Sequence, residues 1–395
     1  MESLLASYRE GCSRSNVAPV QSLIRELQAV IDAGTVLHEF RLRGGSKELF
    51  NSRIGSAQAK ALAFALKDDE HINTLDVSWN RIDDEGLEYL AEAVRANTSL
   101  VRLLLTCNLI GDQGVDALLT AMDRRPGEGV RELVLRANRG VTDVSVMRIG
   151  KSLRSNTFLR ALDLGHTYMG LKGIMAICAA MVEGQNSLEV LRLDSPIFTG
   201  PSESEAAISY LCKAINSAPA LRELSLAQFH VDQDSLLRLF GQDLTKPTAL
   251  SHVVLSSNRI SDGCGPALQR MFEMCPGLEV LDMSANWIGD EGGVALAEVM
   301  LSSATANANL KAVDLSSNRL GDPGLSAVAQ VVQEMPNLLS VKMWGNRFGK
   351  ASAELLACAL EARQTQGAAP GAAADCVLYS STPRGEPQFW SVARS

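Results

Sequence analysis

In LDVSWNRIDDEG, Leu75 to Gly86, three acids stand in a row ahead of a glycine: Asp83, Asp84 and Glu85. Adjacent carboxylates supply oxygen ligands for a divalent cation or titratable groups for acid–base chemistry. The phrase returns as LDMSANWIGDEG from Leu281 and as VDLSSNRLGDPG from Val313. A catalytic site gathers its groups at one place, whereas these acids fall once per recurrence. The choice between chemistry and architecture therefore rests on the elements that carry them.

The recurrences share the frame L-x-x-L-x-L-x-x-N-x-I-x-D-x-G, followed by a helical stretch. Copies start at Ile72, Leu100, Val130, Leu159, Leu188, Leu221, Leu250, Leu278, Leu310 and Leu338, with a degenerate first copy at Leu37, making eleven over about residues 37–363. Most starts lie 28 or 29 residues apart, with longer spacings of 33 and 32 residues after Leu188 and Leu278. In the second copy Leu75 and Val77 alternate with Asp76 and Ser78, the period of a strand with one buried face. Leu87, Leu90, Ala91 and Val94 then form one helical stripe, with Glu88, Glu92 and Arg95 opposite. One copy cannot bury its stripe alone, so neighbours must stack, strands in parallel and helices outside. Asp84 aligns with Asp112, Asp143, Asp262, Asp290 and Asp322, each just ahead of a helical stripe. An aspartate there is expected to cap its own helix and complement the helix dipole. Gly86, Gly114, Gly292 and Gly324, two residues later, are expected to permit close helix-to-strand packing.

This frame resembles the leucine-rich repeat family, in its long, helix-containing type typified by ribonuclease inhibitor. The resemblance implies an α/β fold, a leucine-rich repeat solenoid or horseshoe arc of about eleven repeats, with a concave parallel β-sheet and outer helices. It also implies that Asn80, Asn108, Asn138, Asn258, Asn286, Asn318 and Asn346 bridge backbone groups from copy to copy as a ladder. The function implied is that of a non-catalytic scaffold or adaptor with protein partners. Activators of the small GTPase Ran share this repeat type and act from the repeat turns, so a Ran-type activator or another regulatory protein of cytosol or nucleus is the alternative. The strongly acidic tail usual in such activators is missing.

Departures from the frame point to candidate contact residues. Thr167, Pro196 and Phe229 replace the ladder asparagine in three successive copies, beside the insertion FTGPSESEAA from Phe198 to Ala207. Tyr168, Phe198 and Phe229 are candidates for an aromatic patch there, although Phe229 is expected first as core, filling the space left by the missing amide. On the strand face one lane runs Arg41, Asp76, Leu104, Val134, Asp163, Arg192, Ser225, Val254, Asp282, Asp314 and Lys342. The lane beside it holds Arg43, Arg136, Asp194 and Trp344. Arginines lie toward the first copies, and acids with Trp344 toward the last, a gradation suited to an elongated protein partner. Arg41, Arg43, Asp282, Asp314, Lys342 and Trp344 are the binding candidates on this face.

Other classes find little support. Net charge is -8 and no long basic run occurs, which argues against nucleic acid or anionic membrane as partner. No apolar run has the length of a bilayer span and Met1–Ser15 has no signal-like core, so a cytoplasmic protein is expected. The eight cysteines form no Cys-x-x-Cys pair and the five histidines have no ligand spacing, so no metal is expected. Without a phosphate loop or complete dinucleotide fingerprint, no cofactor or small-molecule substrate is expected either.

Residues 1–36 are expected to form an N-terminal helical cap, with a helix over Val20–Ile31. Residues 364–374 read as a flexible linker and 375–395 as an extended or hairpin segment. That segment, VLYSSTPRGEPQFW, together with MWGNRF from Met343 to Phe348, resembles a leucine-rich repeat protein of ciliated organisms. This similarity implies a place in the cilium or flagellum axoneme, in a radial spoke or another microtubule-bound complex.

Overall fold

The computed structural model describes residues 1–45, 53–123, 129–184, 187–242, 244–302, 309–347, 349, 350, 352, 354–356, 358, 359, 378–381 and 387–390. Phe348, Cys376 and the linker expected at 364–374 lie outside the described residues. Two compact units divide the chain, Met1–Phe198 and Thr199–Ser395. The first runs α1 (Glu2–Arg14), α2 (Gln21–Asp32), β1 (Glu39–Arg41), α3 (Ser56–Leu66), β2 (Thr74–Asp76), α4 (Asp84–Ala96), β3 (Arg102–Leu104), α5 (Asp112–Asp123), β4 (Glu132–Val134), α6 (Asp143–Leu153), β5 (Ala161–Asp163), α7 (Leu171–Glu183) and β6 (Val190–Arg192). The second runs α8 (Pro201–Asn216), β7 (Glu223–Ser225), α9 (Gln233–Leu237), β8 (His252–Val254), α10 (Gly265–Met274), β9 (Val280–Asp282), α11 (Asp290–Ser302), β10 (Ala312–Asp314), α12 (Asp322–Glu334) and β11 (Ser340–Lys342). It closes with β12 (Leu378–Ser381) antiparallel to β13 (Pro387–Trp390).

Each unit is a leucine-rich repeat solenoid with all its repeat strands parallel. In the first, Phe40, Leu75, Leu103, Leu133, Leu162 and Leu191 stand in one register row. In the second the row is Leu224, Val253, Leu281, Val313 and Val341. All are buried, each removal of an aliphatic side chain from water being worth about 1.5–3 kcal/mol. Opposite them lie the helix stripes, such as Leu87, Leu90, Ala91 and Val94 of α4. The long spacing after Leu188 is absorbed by α8, 16 residues long with Pro201 in its first turn. Its added length is about one helical turn, which keeps the buried stripe in phase.

At the front, α2 lies where a helix is expected over Val20–Ile31, and α1 is a second helix within the same 1–36 segment. α1 packs on α3, and the Tyr8 hydroxyl accepts the Val20 N–H at 3.0 Å to hold α2 behind it.

Two ladders join successive repeats. In the expected one, the Asn286 Nδ2 donates to Leu255 O at 2.9 Å in the preceding repeat and to Met283 O at 3.0 Å in its own, while Oδ1 accepts Ile260 N–H at 3.1 Å. Asn80, Asn108, Asn138, Asn258, Asn318 and Asn346 repeat the arrangement. The residue ahead of each rung has positive φ, including Trp79, Cys107, Ala137, Ser257, Ala285 and Ser317, all of them side-chain-bearing residues. Gly345 alone meets that demand without strain.

The second ladder corrects the expectation for the aspartates. They sit at the first helical position and reach forward to cap the next helix, not their own. Asp84 accepts Gly111 N–H at 2.6 Å, Asp143 accepts Gly170 and Gly173 N–H at 2.7 and 2.8 Å, and Asp290 accepts Gly321 and Gly324 N–H at 2.7 and 2.9 Å. Asp262 does the same with Gly289 and Gly292. The stacked neighbour presents free amides beside each of these carboxylates, and the residue ahead, such as Asp83, is left to cap the helix they open. The cap of α4 is Asp83, accepting Gly86 N–H at 3.0 Å and the Ser56 hydroxyl at 2.6 Å. The glycines acquire a different reason too. A Cβ on Gly114 would stand 2.8 Å from Asp84 Oδ1, and one on Gly324 2.9 Å from Asp290 Oδ1. Where serine replaces glycine, at Ser145 and Ser352, its hydroxyl donates to Asp112 or Asp322.

Candidate protein-binding surface

The strand lanes place the predicted charges in register, Arg41 beside Asp76 and Asp282 beside Asp314 beside Lys342. In the first unit the exposed Arg41 pairs with Glu39 at 2.7 Å, and Arg43 donates to the buried Asp76, which also accepts Ser78 N–H. In the second unit Asp282 accepts Ser284 N–H and Asp314 accepts Ser316 N–H, each at 2.9 Å. The lane acids thus brace their own strand ends. Lys342 lies 3.5 Å from Asp314, and Trp344 stands exposed next to it.

A charged cluster closes the far part of the first unit's face. Arg136 Nη1 lies 2.5 Å from Asp194 Oδ2 and 3.5 Å from Asp163 Oδ1, and Arg192 approaches Asp163 at 3.7 Å. Gly165 makes the span possible, because a Cβ there would meet the Arg136 guanidinium at 2.4 Å. Burial raises the Asp163 pKa, outweighing the Gly165 amide and the two arginines. Both acids are engaged with arginine, so the cluster offers a polar platform of paired groups.

The other surface is the turn edge, made by the residue that follows each ladder position. Its backbone N–H is tied to the preceding repeat: Leu109 to Ile82 O, Tyr168 to Val141 O and Ile197 to Met169 O, at 2.8–2.9 Å. The side chain is therefore held sideways, and Leu109, Tyr168 and Ile197 are 64%, 52% and 49% exposed. Trp79, exposed on its positive-φ turn, lies on the same edge. In the second unit the corresponding residues are His230, Arg259, Trp287, Arg319 and Arg347, all exposed.

The expected aromatic patch is not assembled. Phe229 is 0% exposed: its ring fills the core volume vacated by the ladder amide, and its backbone N–H donates to Asn258 Oδ1 at 2.9 Å. Phe198 is half-buried, which leaves Tyr168 as the exposed member. Leu109, Ile197, Arg259, Arg319 and Arg347 are not among the residues expected from the strand lanes and the ladder departures. Their signal was positional, one residue beyond each rung.

Among the described residues no group of three or more His, Cys, Asp or Glu side chains is placed to hold a metal ion, and no helix is long and apolar enough to cross a membrane. A sequence profile described as Leucine Rich repeat matches residues 69–91, 96–119, 155–178, 275–297 and 306–329, each segment opening just ahead of a strand. Ribonuclease inhibitor of Sus scrofa is 28% identical over 287 residues, covering 70% of this chain and 59% of the relative. NACHT, LRR and PYD domains-containing protein 5 of Bos taurus is 28% identical over 210 residues, 53% of this chain and 18% of the relative. Leucine-rich repeat-containing protein 73 of Rattus norvegicus is 28% identical over 173 residues, 44% of this chain and 53% of the relative. The chain therefore matches less than two thirds of each relative's length, from 18% to 59%. Among solved structures, one of the yeast Rad7 and Elc1 complex aligns with TM-score 0.55 at 15% identity, over 89% of this chain and 90% of that one, a likeness of fold.

Proposed function

We propose that this chain, built of leucine-rich repeats, is a non-catalytic protein-binding scaffold or adaptor. The observation that carries the reading is the exposure of three large side chains, Leu109, Tyr168 and Ile197, at one repeat register of the first unit, where Arg81 and Arg139 are the other exposed members. Such a row gains most when a partner removes it from water. The acids that first suggested catalysis support the reading from the other side, since they are engaged with backbone amides. A relative named as an inhibitor of ribonuclease also supports a partner that is itself a protein. Further candidate contacts are Arg41 and Arg43 on the strand face of the first unit, Asp282, Asp314, Lys342 and Trp344 on that of the second, and Tyr168 with the half-buried Phe198 near the turn.

The finer placement is a cytoplasmic one, in the axoneme of a cilium or flagellum, within a radial spoke or another microtubule-bound complex. Its support is the resemblance of Met343–Phe348 and the C-terminal segment to a leucine-rich repeat protein of ciliated organisms.

Affinity capture from isolated cilia and from deciliated cells tests both levels, using the wild type and the triple variant Leu109→Asp/Tyr168→Asp/Ile197→Asp with its melting temperature checked. Partners held by the wild type and lost by the folded variant are expected. Equal capture by both refutes the turn-edge reading, and recovery from nucleus or cytosol alone refutes the axonemal one. Stimulated GTP hydrolysis in a panel of small GTPases would replace the scaffold by a Ran-type activator.

A further inference from the structure

Arg259, Trp287, Arg319 and Arg347 follow the ladder asparagine in four successive repeats of the second unit. Their backbone amides donate to Val231 O, Ile260 O, Ile288 O and Leu320 O at 2.7–2.9 Å, so the four side chains leave one edge at strand spacing, about 5 Å per repeat. Trp287 lies under the Arg319 guanidinium, 5.3 Å from its ring centre. No carboxylate among the described residues lies within ion-pair distance of Arg259, Arg319 or Arg347, although strand arginines such as Arg102 and Arg136 are paired.

Neighbouring acids on both sides are engaged with backbone amides. On the helix side Asp262, Asp290 and Asp322 hold the amides of Gly289, Gly321 and Gly349. On the strand side Asp282 and Asp314 hold those of Ser284 and Ser316. The result is a narrow cationic ridge, with small residues Ser257, Ala285, Ser317 and Gly345 beside it and carboxylates along both flanks. Exposed arginines are commonly just solvated, but three at one register with a tryptophan among them, in a chain of net charge -8, make a specific shape.

We infer that this ridge binds an extended acidic segment of a protein partner, its carboxylates on Arg259, Arg319 and Arg347 and one apolar side chain on Trp287. Guanidinium forks take carboxylates in pairs of parallel hydrogen bonds, and the tryptophan face adds contact area. The four positions span about 15 Å, the length of about five extended residues. A nucleic acid fits worse: its backbone is wider than the ridge and would bring phosphates against the flanking carboxylates. Beside Arg259, His230 is held toward its neutral form by partial burial and by that arginine, which limits the added charge at this end.

The inference rests on the protein-binding reading and narrows it to one edge and one partner chemistry. Fluorescence anisotropy on the full chain tests it with three labelled probes: a ten-residue peptide of glutamates around one phenylalanine, its glutamine counterpart, and a uridine oligomer. The acidic peptide is expected to bind in the micromolar range, at least about tenfold more tightly than the glutamine peptide, and to weaken steeply with salt. Arg259→Gln/Arg319→Gln/Arg347→Gln should abolish that preference, and Trp287→Ala should weaken binding by about three- to tenfold, both with unchanged melting. Equal binding of the acidic and glutamine peptides, no binding of either, or tighter binding of the uridine oligomer would each overturn it. The Leu109/Tyr168/Ile197 variant reports separately on the general scaffold reading, since that surface lies in the other unit.

Discussion

The carboxylate of Asp84 accepts the backbone N–H of Gly111 at 2.6 Å, so an acid in one repeat fixes the first turn of the helix in the next. Gly114, two residues into that helix, has no room for a side chain because Asp84 Oδ1 already lies over it. A phrase that reads locally as a cap or a metal site is a bond between neighbours.

Gly324→Ala should therefore cost about 1–3 kcal/mol, since the new Cβ would crowd Asp290 Oδ1 and Leu320 Cδ2, both 2.9 Å away. Gly324→Ser should cost less, because its hydroxyl can donate to Asp290 as Ser145 donates to Asp112. Urea denaturation of the two variants checks the order, and equal losses would detach the glycine from the carboxylate.

Replacing a rung of the asparagine ladder should be costlier than replacing its substitute. Asn286→Ala strands buried backbone groups in two repeats, a loss of about 2–4 kcal/mol. Thr167→Ala removes one bond, to Leu164 O at 2.7 Å, and should cost about 1 kcal/mol. Hydrogen exchange should show the Asn286 lesion spreading to the amide of Ile260 in the preceding repeat.

Two acids should give opposite pH dependences. The Ser56 hydroxyl and the Gly86 amide lower the pKa of Asp83, so its contribution is full above the ordinary carboxylate range near pH 4 and is lost as pH falls through the depressed value. Burial raises the pKa of Asp163, so its ionisation opposes folding, and stability is recovered as pH falls through that raised value toward about 4. Denaturation midpoints measured down to acid pH should lose the first trend in Asp83→Asn and the second in Asp163→Asn.

Thiol reactivity should sort by packing. Burial pushes the Cys264 and Cys275 thiols up to about 11, leaving about one thiolate in a thousand at pH 8, and both side chains are enclosed. Cys358 is exposed and Cys107 partly so. Among the described cysteines, alkylation of the native chain followed by peptide mass analysis should find Cys358 modified first, Cys107 more slowly, and Cys264 and Cys275 only after unfolding.

The sequence by itself determined the repeat, its strand and helix faces, and the asparagine rungs, because these follow from periods of two and of about 3.6 and from one recurring spacing. It did not disclose the partner of Asp84, because that partner lies in the next repeat and a local reading assigns a first-turn acid to its own helix. For Phe229 it offered two readings, a surface patch and core filling in place of the missing amide, and the packing bears out the second. The left-handed turns were hidden as well, since tryptophan, alanine, serine and cysteine hold a conformation that glycine would have signalled. Stacking decided all three, because backbone groups satisfied between repeats dictate which side chains are enclosed and which, like Ile197 and Arg319, stay on the edge.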